Sequence, residues 1–341
     1  MVKVNFQRFV PEIDIADTRS WFWKEGIESP EIFIPLWQLL VNKELLNKAS
    51  SKGLHDFLGF NGRIFLSTVM PDELLDRLGV GDYFKLIKNL RPDATMVPDN
   101  YTYTDDPLFL SWSQTVKLFS LANNFLKLDI PLIGLVKGAN HLQIDWVIRK
   151  QTEMGYVSFA MPVRELLQDT VEFLEENKEF SEENLELLEN TPLNSFVKNA
   201  IISLKWFFKR TENNFELIIY GISWRLKYKG LSYSNLSWFL DAKHGIYFKD
   251  GKPHSIRDPA IRFEECNCDA CKGLMPQEIL DTMSTDKALG IKTLVIHNLL
   301  DMRRTMANGS RWEEVQGWDN IKGGSLKERR CVKKERKNPM L

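Results

Sequence analysis

The sequence predicts an α/β fold, a (β/α)8 TIM barrel of parallel strands with an inserted zinc-binding subdomain. Short apolar runs alternate with helical segments between residues 31 and 306, which is typical of a mostly parallel sheet covered by helices. Eight or so such units in a chain of 341 residues favour a closed barrel over an open sheet. Three cysteines in one hexapeptide, followed at a distance by a histidine, indicate the zinc site.

The composition is that of an ordinary soluble globular protein. Hydrophobic residues make up 43%, charged residues 27%, and the formal net charge is -1. This balance gives no global signal for nucleic acid, so any such contact must come from a local patch. No apolar run reaches the roughly 18 to 20 residues of a membrane span, and the N-terminus lacks a signal-peptide pattern. We therefore expect a cytoplasmic protein without a membrane partner, whose reduced cysteines can hold metal.

The elements of the barrel are predicted from apolar periodicity and turn residues. We expect residues 1–30 to form an irregular lead-in or a short helix rather than a strand, and residues 54–62 to form a turn-rich approach to the next strand. Pro71 and the acidic residues after it open a helix. The predicted helices are residues 39–46, 71–78, 107–128, 144–154, 163–174 and 193–209. The short apolar runs taken as strands are residues 32–37, 63–66, 94–97, 130–136, 156–160, 216–222, 234–238 and 293–296.

Two segments are predicted to lie outside the regular barrel. Residues 169–190 are strongly acidic and helical, which favours a solvated excursion closed by Asn190 and Pro192. Residues 307–341 form a basic tail. Such a tail can dock phosphates with a strong dependence on salt, although it is more often a disordered end.

The metal-ligand pattern is the most specific signal in the chain. Cys266, Cys268 and Cys271 are followed by twenty-five residues and then by His297. Three thiolates and one imidazole can complete a closed tetrahedral zinc site, whereas cysteines this close together do not easily satisfy disulfide geometry. Four protein ligands leave no open position, so the zinc is expected to be structural.

With this pattern, and with Asn298-Leu299 after the histidine, the chain resembles the tRNA-guanine transglycosylases, most closely their archaeal, archaeosine-type branch. Weaker similarity covers residues 32–306, including 275–278 and 54–62. The resemblance implies a structural zinc beside a (β/α)8 barrel and the exchange of a guanine in tRNA for a 7-deazapurine; a related branch acts on DNA. It also implies tRNA or DNA as a partner, and a homodimer or a heterodimer with an active subunit.

Both aspartates that the resemblance leads one to expect are replaced by serine. One opens an Asp-Ser-Gly-(Gly/Ser/Ala)-Phe-Gln segment in the family, and Ser67 takes its place here. The other, the nucleophile, lies in a segment similar to Asp-Ser-Ala-Ser-Tyr, and Ser234 takes its place. Base exchange needs a carboxylate nucleophile and an acid–base group, and an unactivated hydroxyl is a poor substitute. Asp241 and Asp56 are alternative carboxylates if the register differs.

Two further positions correspond to base-binding segments of the family. Asp99 follows Val97-Pro98 and resembles the aspartate that hydrogen-bonds the bound base; alternatively it begins a turn or caps the next helix. Lys137 replaces the amide of a Val-Gln-Gly segment with a cation. The side chains of residues 159–161 stand where the family has a Gly-Gly segment, and we expect them to narrow any pocket for a base. These changes favour a catalytically altered or silent relative of the family.

Three alternatives remain open from the sequence. The first is an active transglycosylase with Asp241 as nucleophile. The second is a non-catalytic partner subunit or nucleic-acid-binding module. The third is a repurposed enzyme that uses Ser67, Ser234, Lys137 or Asp99 on a different glycoside or base.

Overall fold

A parallel eight-stranded sheet forms the centre of the protein. The computed structural model describes residues 1–103, 106–162, 215–221, 231–257, 268–271, 274 and 276–307. The strands of the sheet are β1 (Phe9–Pro11), β2 (Glu31–Pro35), β3 (Arg63–Ser67), β4 (Ala94–Met96), β5 (Leu132–Leu135), β6 (Ser158–Pro162), β7 (Glu216–Tyr220) and β8 (Ser232–Asn235). Their order is β1-β8-β7-β6-β5-β4-β3-β2.

The two ends of this order meet, so the sheet is nearly closed. Glu12, just after β1, forms a parallel bridge with Phe33 of β2, and the Ile13 amide donates to the Phe33 carbonyl at 3.1 Å. An eight-stranded parallel sheet that curls back on itself is compatible with a TIM barrel. The predicted α/β class and the expected number of strand units are confirmed.

Aromatic side chains fill the interior of the sheet. The Phe33 ring lies 5.3 Å from Phe65 and 5.6 Å from Tyr220, measured between centroids. Because side chains alternate between the two faces of a strand, these contacts identify the inward-facing positions of β2, β3 and β7. Strand pairing then places Ser234, which is opposite Tyr220, on the same inner face.

Helices cover the outside of the sheet and join its strands. They are α1 (Leu36–Val41), α2 (Lys43–Lys52), α3 (Leu54–Leu58), α4 (Asp72–Leu75), α5 (Val80–Leu90), α6 (Leu108–Phe125), α7 (His141–Glu153), α8 (Ser237–Lys243), α9 (Pro276–Thr285) and α10 (Lys287–Ala307). Asn42 and Asn140 cap α2 and α7 by accepting from the amides of Leu45 and Gln143. None of the helices among the described residues combines the length and apolar character that crossing a membrane requires.

A hairpin and the last helix pack together beside β1 and β8. Strands β9 (Ile246–Lys249) and β10 (Lys252–Ser255) are antiparallel, and Asp250 and Gly251 between them have φ values of 51° and 72°. Two positive φ values define the tight hairpin turn that Asp-Gly favours. Asp301 of α10 accepts from the amides of both turn residues, which ties the hairpin to that helix.

Three expectations about local structure were wrong, and a fourth was right only in part. Residues 1–30 contain β1, the strand that completes the sheet, and residues 54–62 contain α3. The helix expected at 71–78 does begin after Pro71, as α4, but it ends at Leu75 before the longer α5 begins. The apolar run at 293–296 lies within α10. Residues 163–174, 169–190, 193–209 and 308–341 lie outside the described residues, so their predictions stay predictions.

Candidate metal centre and barrel mouth

Two cysteines and one histidine come together beside the hairpin. Cys268 Sγ lies 3.4 Å and Cys271 Sγ 3.2 Å from His297 Nδ1. The three ligand atoms all lie within 4.8 Å of one another, and both cysteines are free thiols. This cluster could bind a metal ion. Cys266 lies outside the described residues.

The orientation of His297 suits a metal ligand. Its Nε2–H donates to the Phe248 carbonyl at 2.6 Å, which leaves the lone pair of Nδ1 facing the thiols. The Tyr247 ring stacks on the imidazole at 4.0 Å. Asn298, the next residue of α10, accepts from the Phe248 amide at 2.9 Å and donates to the Ile246 carbonyl at 2.8 Å. Helix and hairpin therefore hold the imidazole in place from three sides.

The environment of Cys268 favours the thiolate, which is the form that binds metals. Hydrogen bonding from Cys271 lowers the pKa of the Cys268 thiol, and burial opposes this lowering in part. The Cys271 amide also donates to the Cys268 sulfur at 3.4 Å. A soft anionic ligand beside an oriented imidazole suits a borderline cation.

A second group of polar side chains lies at the carboxyl ends of the strands, here called the barrel mouth. It comprises Glu12, Ser67, Asp99, Lys137, Tyr220 and Ser234. All six are buried, with exposed fractions from 0% to 9%. In parallel barrels the carboxyl ends of the strands are where catalytic groups gather.

Asp99 and Lys137 form a buried ion pair in the mouth. Lys137 Nζ donates to Asp99 Oδ1 at 2.7 Å and to the Asn100 carbonyl at 2.9 Å. Asp99 also accepts from the amides of Asn100 at 2.7 Å and Met70 at 3.3 Å. The carboxylate is thus surrounded by donors from its own protein.

Glu12, Tyr220 and Ser67 lie close together at the mouth. The Tyr220 hydroxyl is near enough to affect the pKa of Glu12, and the Ser67 hydroxyl is near enough to affect the pKa of Tyr220. Burial raises the pKa of Glu12 to about 7; the nearby Asp14 adds to this rise, and the Tyr220 hydroxyl opposes it. Burial also raises the pKa of Tyr220 well above its ordinary value. A carboxyl that titrates near neutrality can act as an acid or as a base.

Ser234 differs from the other residues of the mouth. Its side chain is 0% exposed, and within the described part of the chain its Oγ has no hydrogen-bond partner. Val10 of β1 pairs with it on one side and Tyr220 of β7 on the other. An unsatisfied buried hydroxyl is rare in native proteins and calls for a reason.

Asp56 and Asp241 occupy positions of a different kind. Asp56 is exposed on α3, which precedes β3 and therefore lies near the amino end of that strand. Asp241 lies on α8, after β8 has ended, where burial raises the pKa of its carboxyl and His244 opposes the rise. The groups that the structure places against Asp99 are instead Lys137 and the amides of Met70 and Asn100.

Glu12 was missed in the sequence because residues 1–30 were interpreted as a lead-in. Tyr220 lies in the strand predicted at 216–222 but was not singled out as a residue of the site. The available signal was the alternation of Ile13 and Ile15 with Glu12 and Asp14, a pattern typical of a strand end.

No protein-family model matches this chain, and no curated protein matches it either.

Proposed function

We propose that this protein is a transglycosylase-like zinc protein of tRNA or DNA base modification, and that it has lost the two-aspartate exchange chemistry of the family it resembles. In this proposal it holds a nucleic acid without cutting a glycosidic bond. Its partners are tRNA or DNA and a second subunit, either another copy of itself or an active transglycosylase.

The ion pair between Lys137 and Asp99 carries the proposal. In the resemblance, the aspartate at position 99 recognises the base. Here Lys137 Nζ lies 2.7 Å from its Oδ1, and two backbone amides occupy the rest of the carboxylate. A base edge can reach Asp99 only by displacing these donors, which costs the energy of a desolvated ion pair.

The positions of Ser67 and Ser234 support the same conclusion. Ser67 ends β3, and Ser234 lies in β8, both with 0% exposure. Ser67 lies two residues after Phe65, whose ring contacts Phe33 inside the sheet, and Ser234 pairs with the inward-facing Tyr220. Both serines therefore lie on the inner side of the mouth, where the resemblance expects two carboxylates, and a hydroxyl there is neither a strong nucleophile nor an ionised base.

The metal cluster fits a structural zinc ion. A Zn–N bond of about 2.05 Å and a Zn–S bond of about 2.3 Å at a tetrahedral angle place nitrogen and sulfur about 3.6 Å apart, close to the 3.2 and 3.4 Å between His297 Nδ1 and the two sulfurs. Cys266 is the proposed fourth ligand. A closed zinc site supplies no chemistry of its own; it would fix the segment containing Cys268 and Cys271 against α10 and the hairpin, as an inserted zinc-binding subdomain.

Incorporation of labelled guanine into bulk tRNA and into DNA tests the loss of exchange chemistry. We expect no incorporation above a protein-free blank, together with salt-dependent retention of the nucleic acid by the protein. The matched variants are Asp241→Asn and Asp56→Asn. Incorporation that Asp241→Asn abolishes and Asp56→Asn leaves intact would show an active transglycosylase with Asp241 as nucleophile, and the proposal would be wrong.

Metal analysis tests the zinc assignment independently. We expect one zinc ion per chain in the purified protein, and its loss after Cys268→Ala, because one thiolate of a closed site is removed. Unchanged zinc content and stability in that variant would refute the assignment.

A further inference from the structure

One face of α10 holds the hairpin through buried side chains. His297, Asn298 and Asp301 all form hydrogen bonds with backbone atoms of residues 246–251. His297 and Asp301 are four residues apart, so they lie on the same side of the helix. Both are buried, with exposed fractions of 3% and 4%. A metal ligand and a buried carboxylate therefore contact the same hairpin from adjacent turns of one helix.

Asp301 fixes the turn of the hairpin. Its Oδ2 accepts from the Gly251 amide at 2.6 Å, and its Oδ1 accepts from the Asp250 amide at 3.2 Å. Oδ1 also accepts from Arg304 Nη2 at 2.6 Å. Hydrogen bonds to an ionised acceptor are among the stronger ones in proteins. The carboxylate thus sets the position of the turn, and of the end of β9 before it, relative to α10.

Strand β9 carries this position to the metal ligand. Phe248 lies two residues before Asp250, and its carbonyl accepts from His297 Nε2 at 2.6 Å. The Phe248 amide donates to Asn298 Oδ1 at 2.9 Å. The direction of the Phe248 carbonyl sets the orientation of the imidazole, and with it the direction of the Nδ1 lone pair. Groups that orient a ligand histidine in this way tune its affinity for metal.

The cluster tolerates little movement of the imidazole. Nδ1 of His297 lies 3.2 Å from Cys271 Sγ and 3.4 Å from Cys268 Sγ, and metal–ligand distances hold to within about 0.2 Å. The Tyr247 ring, which stacks on the imidazole at 4.0 Å, also belongs to β9. A shift of β9 therefore displaces two contacts of the ring at once, the stacked tyrosine and the Phe248 carbonyl.

We propose that Asp301 is a positioning residue of the metal centre. By holding the hairpin turn, it keeps β9 where Phe248 and Tyr247 orient His297 towards a metal ion. The coupling is reciprocal, because a group that favours metal binding is itself favoured by the bound metal. This role rests on the proposed zinc site, and it depends neither on nucleic acid nor on the barrel mouth.

Competition for zinc between the purified protein and a chromophoric chelator measures the affinity of the metal centre. Loss of groups that orient a ligand histidine typically lowers metal affinity about 10- to 100-fold. Asp301 acts through one further step, so we expect Asp301→Ala to bind zinc about tenfold more weakly than the wild type. Asp301→Asn keeps one oxygen that can accept from the turn, and its affinity should lie between the two. This milder variant keeps the test decisive if Asp301→Ala does not fold.

Asp286→Ala is the matched control. Asp286 is an exposed aspartate just before α10, and its Oδ1 accepts from the Leu289 amide at 3.0 Å. Its loss weakens the first turn of the same helix, about three turns before His297. We expect the zinc affinity of Asp286→Ala to equal that of the wild type, which separates a general loosening of α10 from the positioning of its histidine.

Two further readouts distinguish positioning from a purely structural role. Cobalt(II) bound in place of zinc has an absorption spectrum that reports the geometry of its ligands; we expect Asp301→Ala to change this spectrum and Asp286→Ala to leave it unchanged. Hydrogen exchange of the Asp250 and Gly251 amides tests the reverse direction. We expect slower exchange in the wild type with zinc than after its removal, and no such difference in His297→Ala.

Equal zinc affinities and cobalt spectra in Asp301→Ala and the wild type would overturn the role of Asp301 and leave the zinc assignment standing. Exchange of the turn amides that zinc does not slow would do the same. A wild type that binds no zinc would overturn both. None of these measurements uses nucleic acid, so failure to retain tRNA or DNA with intact zinc binding would contradict the nucleic-acid part of the proposed function alone.

Discussion

Replacing Glu12 with glutamine should change how the stability of the protein depends on pH. Burial raises the pKa of Glu12 from 4.5 to about 7 in the folded state. A raised carboxyl pKa means that the folded state retains a proton that the unfolded chain has released. The contribution of Glu12 to the free energy of unfolding is therefore greatest below pH 4.5, falls between pH 4.5 and 7, and is level above pH 7.

The magnitude follows from the size of the shift. The difference between 4.5 and about 7 corresponds to about 3 kcal/mol, because each pKa unit is worth about 1.4 kcal/mol. Glutamine is neutral at every pH and nearly equal to glutamate in volume, so the stability of Glu12→Gln does not fall in this way as the pH rises. The altered polar contact between residue 12 and Tyr220 costs the variant about 1 kcal/mol. We expect Glu12→Gln to be roughly 2 kcal/mol more stable than the wild type at pH 8 and about 1 kcal/mol less stable at pH 4.5.

Urea unfolding at several pH values from 4.5 to 8 measures this difference. Asp56→Asn is the control, because Asp56 is exposed and its replacement changes stability by about 0.5 kcal/mol or less. A free-energy difference between Glu12→Gln and the wild type that stays constant across this pH range would refute the argument that the Glu12 carboxyl is buried and protonated near neutrality.

Three further experiments test the mouth and the metal centre. Ser234→Ala should leave urea stability within about 0.5 kcal/mol of the wild type, whereas Ser158→Ala should lose about 1 to 3 kcal/mol, because only the second hydroxyl accepts a buried amide. Lys137→Met should cost about 3 to 5 kcal/mol by leaving the Asp99 carboxylate uncompensated; adding Asp99→Asn should recover much of this loss in the same assay. A chelator should lower the thermal midpoint of the wild type and leave that of His297→Ala unchanged, as differential scanning fluorimetry would show.

Most strands could be predicted because each one has a local signal. Residues 63–66 and 216–222 are short apolar runs next to turn residues, and β3 and β7 begin at the predicted residues. The exception, β1, is only three residues long and follows a charged, aromatic lead-in. Its place in the sheet depends on pairing with β8 and on the bridge to Phe33, and both partners are distant in the sequence.

The apolar run at 293–296 was expected to be a strand, but it is part of a helix. Four apolar residues before His297 fit a strand as well as a buried helix. The structure has a helix because this segment continues α10, whose buried face packs on β1, α8 and β9. This part of α10 is apolar on every face because it contacts other elements of the protein on several sides.

The sequence by itself determined the parallel α/β class and the set of residues that could hold a metal, because periodicity and ligand spacing are local properties of the chain. It also placed Ser67, Asp99 and Lys137 just after predicted strands, whereas Ser234 was expected to begin a strand and instead lies near the end of β8. Only the tertiary structure decided what the mouth contains: a neutralised Asp99, a Ser234 hydroxyl without a partner among the described residues, and a buried Glu12 near Tyr220. The physical reason is that burial and hydrogen-bond partners set the protonation of a carboxyl, and these partners come from strands far apart in the sequence.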